Sequence, residues 1–450
     1  MNWRMATALM LCAAGVLGLW LTRDIVPATT RQEVVFWHFW GGEDGRVVED
    51  IVRSFNEQQD QYVVRAVAMP GNNLDVKLFL SITGGDPPDL VNQDSPIVAD
   101  WGARGALTPL DEIAGDEEIE QLRGWLFPAA RKLGEYEGRM YALCNGLDIR
   151  TLYYNRSMLD QYNLSPPTSL AELDGIASTI APPAASVSTS CYGFLPDSRR
   201  VWAWGIVFGG QFYDESTSTV TANDPRIVDA LTWMTGYSQR YGKAAVAAFR
   251  VGDQSLPGKT FPLVAGRYAV VMDGQWRVRD IAAAQRLQRA SGEPVTEYGV
   301  CPLPPPPGGR HRAGWVNGNF FVVPTGARCP SGAWEFMKFW SGFGGNESNA
   351  AQACVAGGWI PPSQHVVDQP LFQEYLTEQP LFAQFVELAG SPHQIPTPMV
   401  PGAPMFYDEI TSVAATSMYR NQSSPAELLN QATAKIQQKL EESRGPQPGP

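Results

Sequence analysis

Three aromatic side chains crowd four residues near the start of the chain. They are Trp37, Phe39 and Trp40, in the stretch VVFWHFWGG at residues 34–42. Flat aromatic faces bind other surfaces by stacking, and the Trp N–H adds a polar atom at the ring edge. Because two glycines follow directly, the run forms either a packed corner or an exposed platform. The chemistry that it can support is non-covalent binding.

Motifs for catalysis and for metal binding are absent from the sequence. The chain contains no H-E-x-x-H, no G-x-S-x-G and no G-x-x-x-x-G-K-[ST]. Paired carboxylates that cleave glycosidic bonds meet only in three dimensions, so the sequence leaves that type of enzyme open. We predict no catalytic residue, no metal ligand and no cofactor. The four histidines lack metal-ligand spacing: His38, His311, His365 and His393.

Composition is typical of a globular protein of two or three domains. The chain has 450 residues, of which 44% are hydrophobic and 18% charged. Its formal net charge is −12, and no stripe of Lys and Arg interrupts the acidic background. This composition argues against a nucleic-acid-binding protein.

The N-terminal segment is typical of an export signal. Arg4 precedes the uncharged stretch Met5–Leu21, and small residues make cleavage after Ala28 possible. The stretch is also close to the minimum length for a membrane span, so an uncleaved anchor stays open. Lipidation of Cys12 is disfavoured, because a large leucine precedes it. We predict that residues 1–28 direct the protein out of the cytoplasm, to the periplasm or another extracytoplasmic compartment, and anchor it if they are retained.

Cysteine pairing does not follow from the later sequence. Five cysteines remain, an odd number with no C-x-x-C pair, and we expect buried thiols with at most one or two bridges. They are Cys144, Cys191, Cys301, Cys329 and Cys354.

Strand-like and helical patterns alternate from residue 33. We predict strands at Glu33–Trp37, Tyr62–Met69 and from Asp89, with helices at 45–57 and Leu74–Ile82. This order predicts a parallel sheet with right-handed crossovers. Ligands of such sheets lie beyond the carboxyl ends of the strands. Two segments fall there: Trp37–Trp40 and Asn92–Ser95.

The chain ends with a helix that has a strong start signal. Ser424 is the predicted N-cap, Pro425 the first helical residue, and Glu427 completes a capping box. Residues 446–450 form a tail that we expect to be disordered. The apolar face of this helix comprises Leu429, Ala432, Ile436 and Leu440.

Several blocks, in order, resemble the extracellular solute-binding proteins of ABC importers, in the large family that includes maltose-binding protein. The opening strand, turn and helix form the first block. Later blocks include KLFLSITGGDPPDLV at 77–91, GALTPLDE at 105–112, GRMYALCNGLDIRTLYYNRSML at 138–159 and GRYAVVMDGQWRVRDI at 266–281. Cys144 stands where the family usually has proline. The resemblance extends over about residues 33–445.

The resemblance implies an α/β fold, two-lobed and like the periplasmic binding proteins, with parallel-rich sheets flanked by helices and a hinge between the lobes. We expect an N-terminal lobe of 33–142 plus about 315–352. The C-terminal lobe would then comprise 145–312 plus about 360–445. The ligand would occupy the cleft between them.

The same resemblance implies a set of ligand-binding residues. A sugar needs flat apolar faces for its C–H surface and planar polar groups for its hydroxyls. Trp276 matches the family's stacking position, and Asp94 and Asp148 match polar contacts. Each has a structural alternative, such as lobe packing or a hinge salt bridge. The predicted set is Trp37, Trp40, Asp94, Asp148, Arg150, Trp276, Trp315, Asn317, Trp359 and Tyr407.

The implied function is capture of a sugar or small oligosaccharide and its delivery to an ABC permease, by a monomer that binds no nucleic acid. Alternatives within the family are glycerol phosphate, which Arg150, Arg267 and Arg277 keep open, or a polyamine. A ferric complex is disfavoured, because no compact Tyr and His set is visible. A carbohydrate-active enzyme and a periplasmic sensor are the alternatives from other classes.

Overall fold

The computed structural model describes residues 31–69, 74–94, 96–182, 191–256, 260–420 and 423–443. The strands are β1 (Gln32–His38), β2 (Tyr62–Ala68), β3 (Leu90–Gln93), β4 (Glu135–Tyr136), β5 (Arg139–Met140), β6 (Ala142–Asp148), β7 (Arg150–Asn155), β8 (Tyr213–Asp214), β9 (Thr219–Val220), β10 (Val270–Gly274), β11 (Tyr298–Cys301), β12 (Gly314–Trp315), β13 (Asn317–Val322) and β14 (Gln394–Ile395).

The helices are α1 (Gly42–Gln58), α2 (Leu74–Thr83), α3 (Val98–Ala103), α4 (Asp111–Ala114), α5 (Asp116–Trp125), α6 (Pro128–Gly134), α7 (Arg156–Gln161), α8 (Leu170–Ile180), α9 (Val201–Val207), α10 (Pro225–Tyr241), α11 (Lys243–Gln254), α12 (Arg277–Ser291), α13 (Pro330–Ser341), α14 (Glu347–Gly357), α15 (Gln364–Val367), α16 (Pro370–Glu378), α17 (Pro380–Ala389), α18 (Ala403–Ala415) and α19 (Pro425–Ser443).

The first sheet has five strands in the order β2-β1-β3-β13-β6. Strand β1 is parallel to β2 and β3, whereas β13 is antiparallel to both β3 and β6. Val34, Phe36 and His38 alternate toward one face of β1 and are buried there, as a half-buried strand requires. Helices α1 and α13 pack on this face, and the predicted alternation of strands and helices up to β3 is confirmed.

The second sheet is antiparallel, with the order β10-β7-β11. Strand β6 of the first sheet continues through buried Ile149 directly into β7, so β7 runs away from the first sheet. Strand β10 therefore runs back toward the first sheet, and its last residue, Gly274, lies opposite Arg150, the first residue of β7. The predicted parallel-rich pattern thus describes the first sheet. The second sheet is antiparallel, because β7 runs away from the first sheet while β10 and β11 run in the opposite direction.

The end of the chain has the predicted helix. In α19 the amide of Glu427 donates to Ser424 Oγ, and the Glu427 carboxylate accepts from the Ser424 amide, which is the predicted capping box. The predicted apolar face of α19 is buried against α10 and α18.

One large apolar core runs through both sheets, and a smaller one lies under α2 and α3 on the other face of the first sheet. The α/β fold class is confirmed, while the exact lobe boundaries stay a prediction. All five described cysteines are free, and three of them are buried. Within the described ranges, no helix combines the length and the hydrophobicity that a bilayer span requires. The predicted export signal and Cys12 lie outside those ranges.

Candidate binding site

Polar side chains from three strands meet where the first sheet ends and the second begins, which we call the junction. Asp148 ends β6, Asn317 starts β13, and the two lie opposite each other in the sheet register. Asp94 follows β3, and its main-chain carbonyl accepts a hydrogen bond from Asn317 Nδ2. Because β3 and β6 point the same way, their carboxyl ends reach one edge, where ligands of α/β sheets bind. The structure therefore brings these three predicted residues together.

The second sheet delivers Trp276 to the same place. Since Gly274 is paired with Arg150, Trp276 lies two residues beyond that pair, in the turn between β10 and α12. Its half-buried ring lies over Gly274, and a Cβ atom at residue 274 would overlap it. Glycine at 274 is thus required by the close approach of the indole.

Arg150 lies between two indole rings. Its guanidinium carbon is 5.2 Å from the ring centroid of Trp276 and 4.6 Å from that of Trp315, which is within cation–π range. Trp315 in turn stacks on Tyr407, with centroids 5.3 Å apart, and Tyr407 stacks on Trp202 at 6.0 Å. These five side chains form a continuous aromatic column, which begins at Trp276 and ends at Trp202. Four of its members belong to the predicted set.

Hydrogen bonds hold one ring of the column, Trp315, and one residue of the junction, Asp148, in place. Trp315 Nε1 donates to Thr397 Oγ1 at 3.0 Å. Gln275, a residue that was not in the predicted set, donates from Nε2 to Asp148 Oδ1 at 2.7 Å, and its Oε1 accepts from the amide of Ile149 at 3.3 Å. Gln275, which follows the last strand residue of β10, therefore connects the second sheet to Asp148 and Ile149, where β6 passes into β7. The sequence signal for it is its place directly before Trp276 in the block GRYAVVMDGQWRVRDI.

Burial and neighbouring charges shift the pKa values of two residues at the junction. Part of the Asp94 side chain is exposed to solvent. Many protein atoms nevertheless surround its carboxyl, and this burial raises the pKa of the carboxyl. The charge of Asp148 raises the pKa of Asp94 further, and Arg150 lowers it in part. Burial, followed by repulsion from Arg200, lowers the pKa of Arg150 to about 10, so this arginine stays charged at neutral pH.

Three predicted tryptophans are buried in the core, and they differ in what they contact. Trp315 is 5% exposed but lies against Arg150, whereas Trp40 and Trp359 pack on each other and on Trp340. Trp40 is 6% exposed and stacks on Trp340 at 5.5 Å, and Trp359, also 6% exposed, packs against both rings. Helix α13 covers this face of the first sheet, which explains the burial. Trp37, which points to the opposite face of β1, is half-buried beside the core under α2 and α3. Neither Trp40 nor Trp359 is therefore part of the site that we propose.

Three cavities contain charged residues in their linings, and Asp94, Asp148, Asn317 and Trp276 line none of the three. One of about 500 Å³ is lined by residues of the second sheet and its neighbours, including Arg200, Asp273 and Arg277. The other two, of about 440 and 850 Å³, adjoin Lys132 and Glu215, which form an ion pair with N···O 2.8 Å. Only Trp202 of the column lines one of them. Within the described ranges, no group of three His, Cys, Asp or Glu side chains could hold a metal ion.

Comparison with known proteins identifies relatives at low sequence identity. A maltotriose-binding protein of Pyrococcus abyssi is 22% identical over 351 residues, which are 75% of this chain and 68% of that protein. A maltooligosaccharide ABC transporter solute-binding lipoprotein of Streptococcus pneumoniae serotype 4 is 22% identical over 302 residues, 65% of this chain and 64% of that protein. The chain thus spans about two thirds of the length of these relatives.

Solved structures share the fold at low identity. The sugar-binding protein MalE from Xanthomonas citri superposes with a TM-score of 0.74 at 18% identity, over 92% of this chain and 98% of that one. CpMnBP1 with mannotriose bound gives a TM-score of 0.73 at 23% identity, over 90% and 100%. The family described as bacterial extracellular solute-binding protein matches residues 42–345, more than half of the chain. This protein therefore belongs to the bacterial extracellular solute-binding proteins.

Proposed function

We propose that this protein captures a sugar or a small oligosaccharide at the junction and delivers it unchanged to an ABC permease. The observation that carries the proposal is the position of Trp276, a half-buried indole on the Arg150 guanidinium. Asp148, the last residue of the neighbouring strand β6, supplies a carboxylate for hydroxyl groups. An apolar ring face beside such groups suits a pyranose, whose C–H face stacks while its hydroxyls donate and accept hydrogen bonds.

The relatives support this ligand class. Their names specify maltotriose and maltooligosaccharides, and solved structures of the same fold carry mannotriose or other sugars. We propose two closing lobes that hinge where β6 passes into β7 at Ile149. The predicted division is 33–142 plus about 315–352 and 145–312 plus about 360–445; because β6 stays paired in the first sheet up to Asp148, we move the proposed boundary from 142–145 to Ile149. Affinity would come from stacking and from hydroxyl bonds that are desolvated on closure.

Release without chemical change is part of the proposal. The family consists of binding proteins, and the relatives' names describe binding rather than cleavage. We also propose a permease partner and an extracytoplasmic location, which the family description and the lipoprotein relative support. Whether residues 1–28 are cleaved or retained as an anchor is decided by N-terminal sequencing of the protein isolated from membrane and soluble fractions.

A thermal-shift screen of the purified chain against neutral mono- and oligosaccharides tests the proposal. A ligand at 100 times its dissociation constant stabilises the folded state by about 2.7 kcal/mol. The same ligand should change the tryptophan fluorescence, because Trp276 and Trp315 lie at the site. Sugars recovered after incubation should be intact by mass spectrometry. Cleaved products would replace the proposal with a carbohydrate-active enzyme.

A further inference from the structure

Arg150 is a buried cation without an anionic partner. The residue is 8% exposed, and its Nη1 donates to the main-chain oxygen of Asp148 at 3.0 Å, while its Nε has no hydrogen-bond partner. Among the residues that the structure describes, no carboxylate oxygen lies within 4.0 Å of its guanidinium. Buried charges in proteins are ordinarily paired, because an unpaired one loses its hydration without compensation. Arg150 thus keeps donors free for a ligand.

The two flanking indoles determine where that ligand can approach. Trp276 and Trp315 both lie within cation–π distance of the guanidinium. Between them the buried Nε atom has no hydrogen-bond partner, so the guanidinium retains an unused donor. A planar guanidinium held by rings is suited to an oxyanion, which it can bind through two parallel N–H bonds.

A second guanidinium adds positive charge beside the first. Arg200 also has a buried Nε without a partner, and its only carboxylate contact among the described residues is a long one of 3.4 Å to Asp273. Arg200 contacts Asp273, the neighbour of Gly274, and Gly274 lies opposite Arg150, so both cations lie at the same end of strand β10. An anion between them would relieve their mutual repulsion.

The cavity beside the second sheet contains charges of both signs, and each of its arginines contacts an aspartate. Arg200 lines the cavity of about 500 Å³, whose lining contains four arginines and three aspartates. On the opposite side of the junction Asp94 and Asp148 present carboxylates, and Asp148 already accepts a bond from Gln275. Asp94 and Asp148 thus belong to the first sheet, whereas Arg150 and Arg200, each with a buried and unpaired Nε, belong to β7 and to the segment that contacts β10 through Asp273. The lining of the cavity comprises Arg199, Arg200, Arg250, Arg277, Asp197, Asp253 and Asp273 among its charged residues.

We infer that the ligand is an acidic sugar, which places a carboxylate or another oxyanion, such as a sulfate or phosphate ester, on Arg150 and Arg200. This inference rests on the proposed function and narrows its ligand class. The sugar ring stacks on Trp276, its hydroxyls face Asp94 and Asp148, and its acid group points away from those carboxylates. The orientation of the ligand in the cleft is then set by charge.

Wild-type protein and matched ligands provide the first test. We would titrate the full chain with a uronic acid disaccharide, with the methyl ester of the same disaccharide and with its neutral hexose counterpart, by calorimetry at pH 7. The free acid should bind at least tenfold more tightly than its ester. A sulfated and a phosphorylated hexose in parallel titrations identify which oxyanion is preferred. Equal affinity for free acids, ester and neutral sugar would overturn the inference and leave the proposed function intact, whereas binding of none would overturn both.

Variants provide the second test. Arg150→Gln should remove the preference for the charged ligand, and Arg200→Gln should reduce it. Arg65→Gln is the matched control, because Arg65 forms its own ion pair with Glu33 on the first sheet, away from the junction. Melting temperatures show whether each variant is folded. A preference that survives in both folded cleft variants, or that disappears in the Arg65 control, would contradict the assignment to Arg150 and Arg200.

Discussion

Arg150 and Trp276 meet because one strand continues from the first sheet and another returns to it. The guanidinium carbon of Arg150 lies 5.2 Å from the Trp276 ring centroid, and the two residues stand at the ends of antiparallel strands β7 and β10. The same pairing places Gln275 on Asp148. The contact between Arg150 and Trp276, which are far apart in the sequence, therefore lies where the two sheets join. A ligand at this place can contact both sheets.

Replacement of the stacking ring should weaken binding without unfolding the protein. For Trp276→Ala we expect the affinity for the best ligand to fall by tenfold or more, which corresponds to about 1.4 kcal/mol. The effect on melting temperature should be small, since the ring is only half-buried. Calorimetric titration measures the change. Trp125→Ala is a matched control, because Trp125 is also half-buried but stacks on His365, outside the column. Equal affinities of the two variants would contradict the role of Trp276.

Trp40 should behave in the opposite way. Because it is packed on Trp340 and Trp359 in the core, Trp40→Ala leaves a cavity and should lower the free energy of unfolding by about 3–5 kcal/mol. The ligand affinity of the folded protein should stay within twofold of the wild type. Urea unfolding and titration measure both quantities. A large loss of affinity with little loss of stability would return Trp40 to the binding site.

His38 should make the protein sensitive to acid. Burial without a partner for Nδ1 lowers the pKa of His38 to about 4, from 6.5 in the unfolded chain. Since the unfolded state takes up this proton first, stability is lost as the pH falls from 6.5 to 4, by up to about 3 kcal/mol for this group. For His38→Gln, urea unfolding at several pH values should show a weaker decline over that window. An unchanged pH dependence would show that His38 is not responsible.

Two ion pairs join elements that we assign to different lobes. Lys132 on α6 contacts Glu215 in the β8–β9 turn at 2.8 Å, and Asp44 on α1 contacts Arg279 on α12 at 2.9 Å. Exposed ion pairs of this kind contribute at most about 1 kcal/mol to the contact between the lobes. Lys132→Glu should therefore weaken ligand affinity by no more than about fivefold. The double variant with Glu215→Lys should recover the affinity. Titrations at low and high salt measure the effect. Lys439→Glu, whose partner Glu442 lies on the same helix, is the control.

Much of the fold could be predicted, because periodicity and capping are local properties. The helix at α19 follows from Ser424, Pro425 and Glu427 alone, and the strands up to β3 follow from alternation and length. The antiparallel second sheet could not be predicted in this way, because its direction depends on β7 continuing from β6. The pattern of strands and helices along the sequence does not show that β7 continues directly from β6.

The site could be predicted only in part. Trp276 and Trp40 both follow a strand and stand near glycines, and the sequence does not reveal that helix α13 places Trp340 over one of them. Gln275 and Arg200 were missed, because their roles arise from contacts with Asp148 and Asp273 across the fold. Residue type indicated which groups could bind a sugar, and tertiary packing decided which of them can reach it.

A crystal structure of the protein with the best ligand from the screen tests the central claim most directly. We predict a sugar ring stacked on the Trp276 indole, with hydroxyls hydrogen-bonded to Asp94 or Asp148 and with the lobes closed around it. A ligand held in the cavities beside Lys132 and Glu215, with no contact to Trp276, would contradict the account.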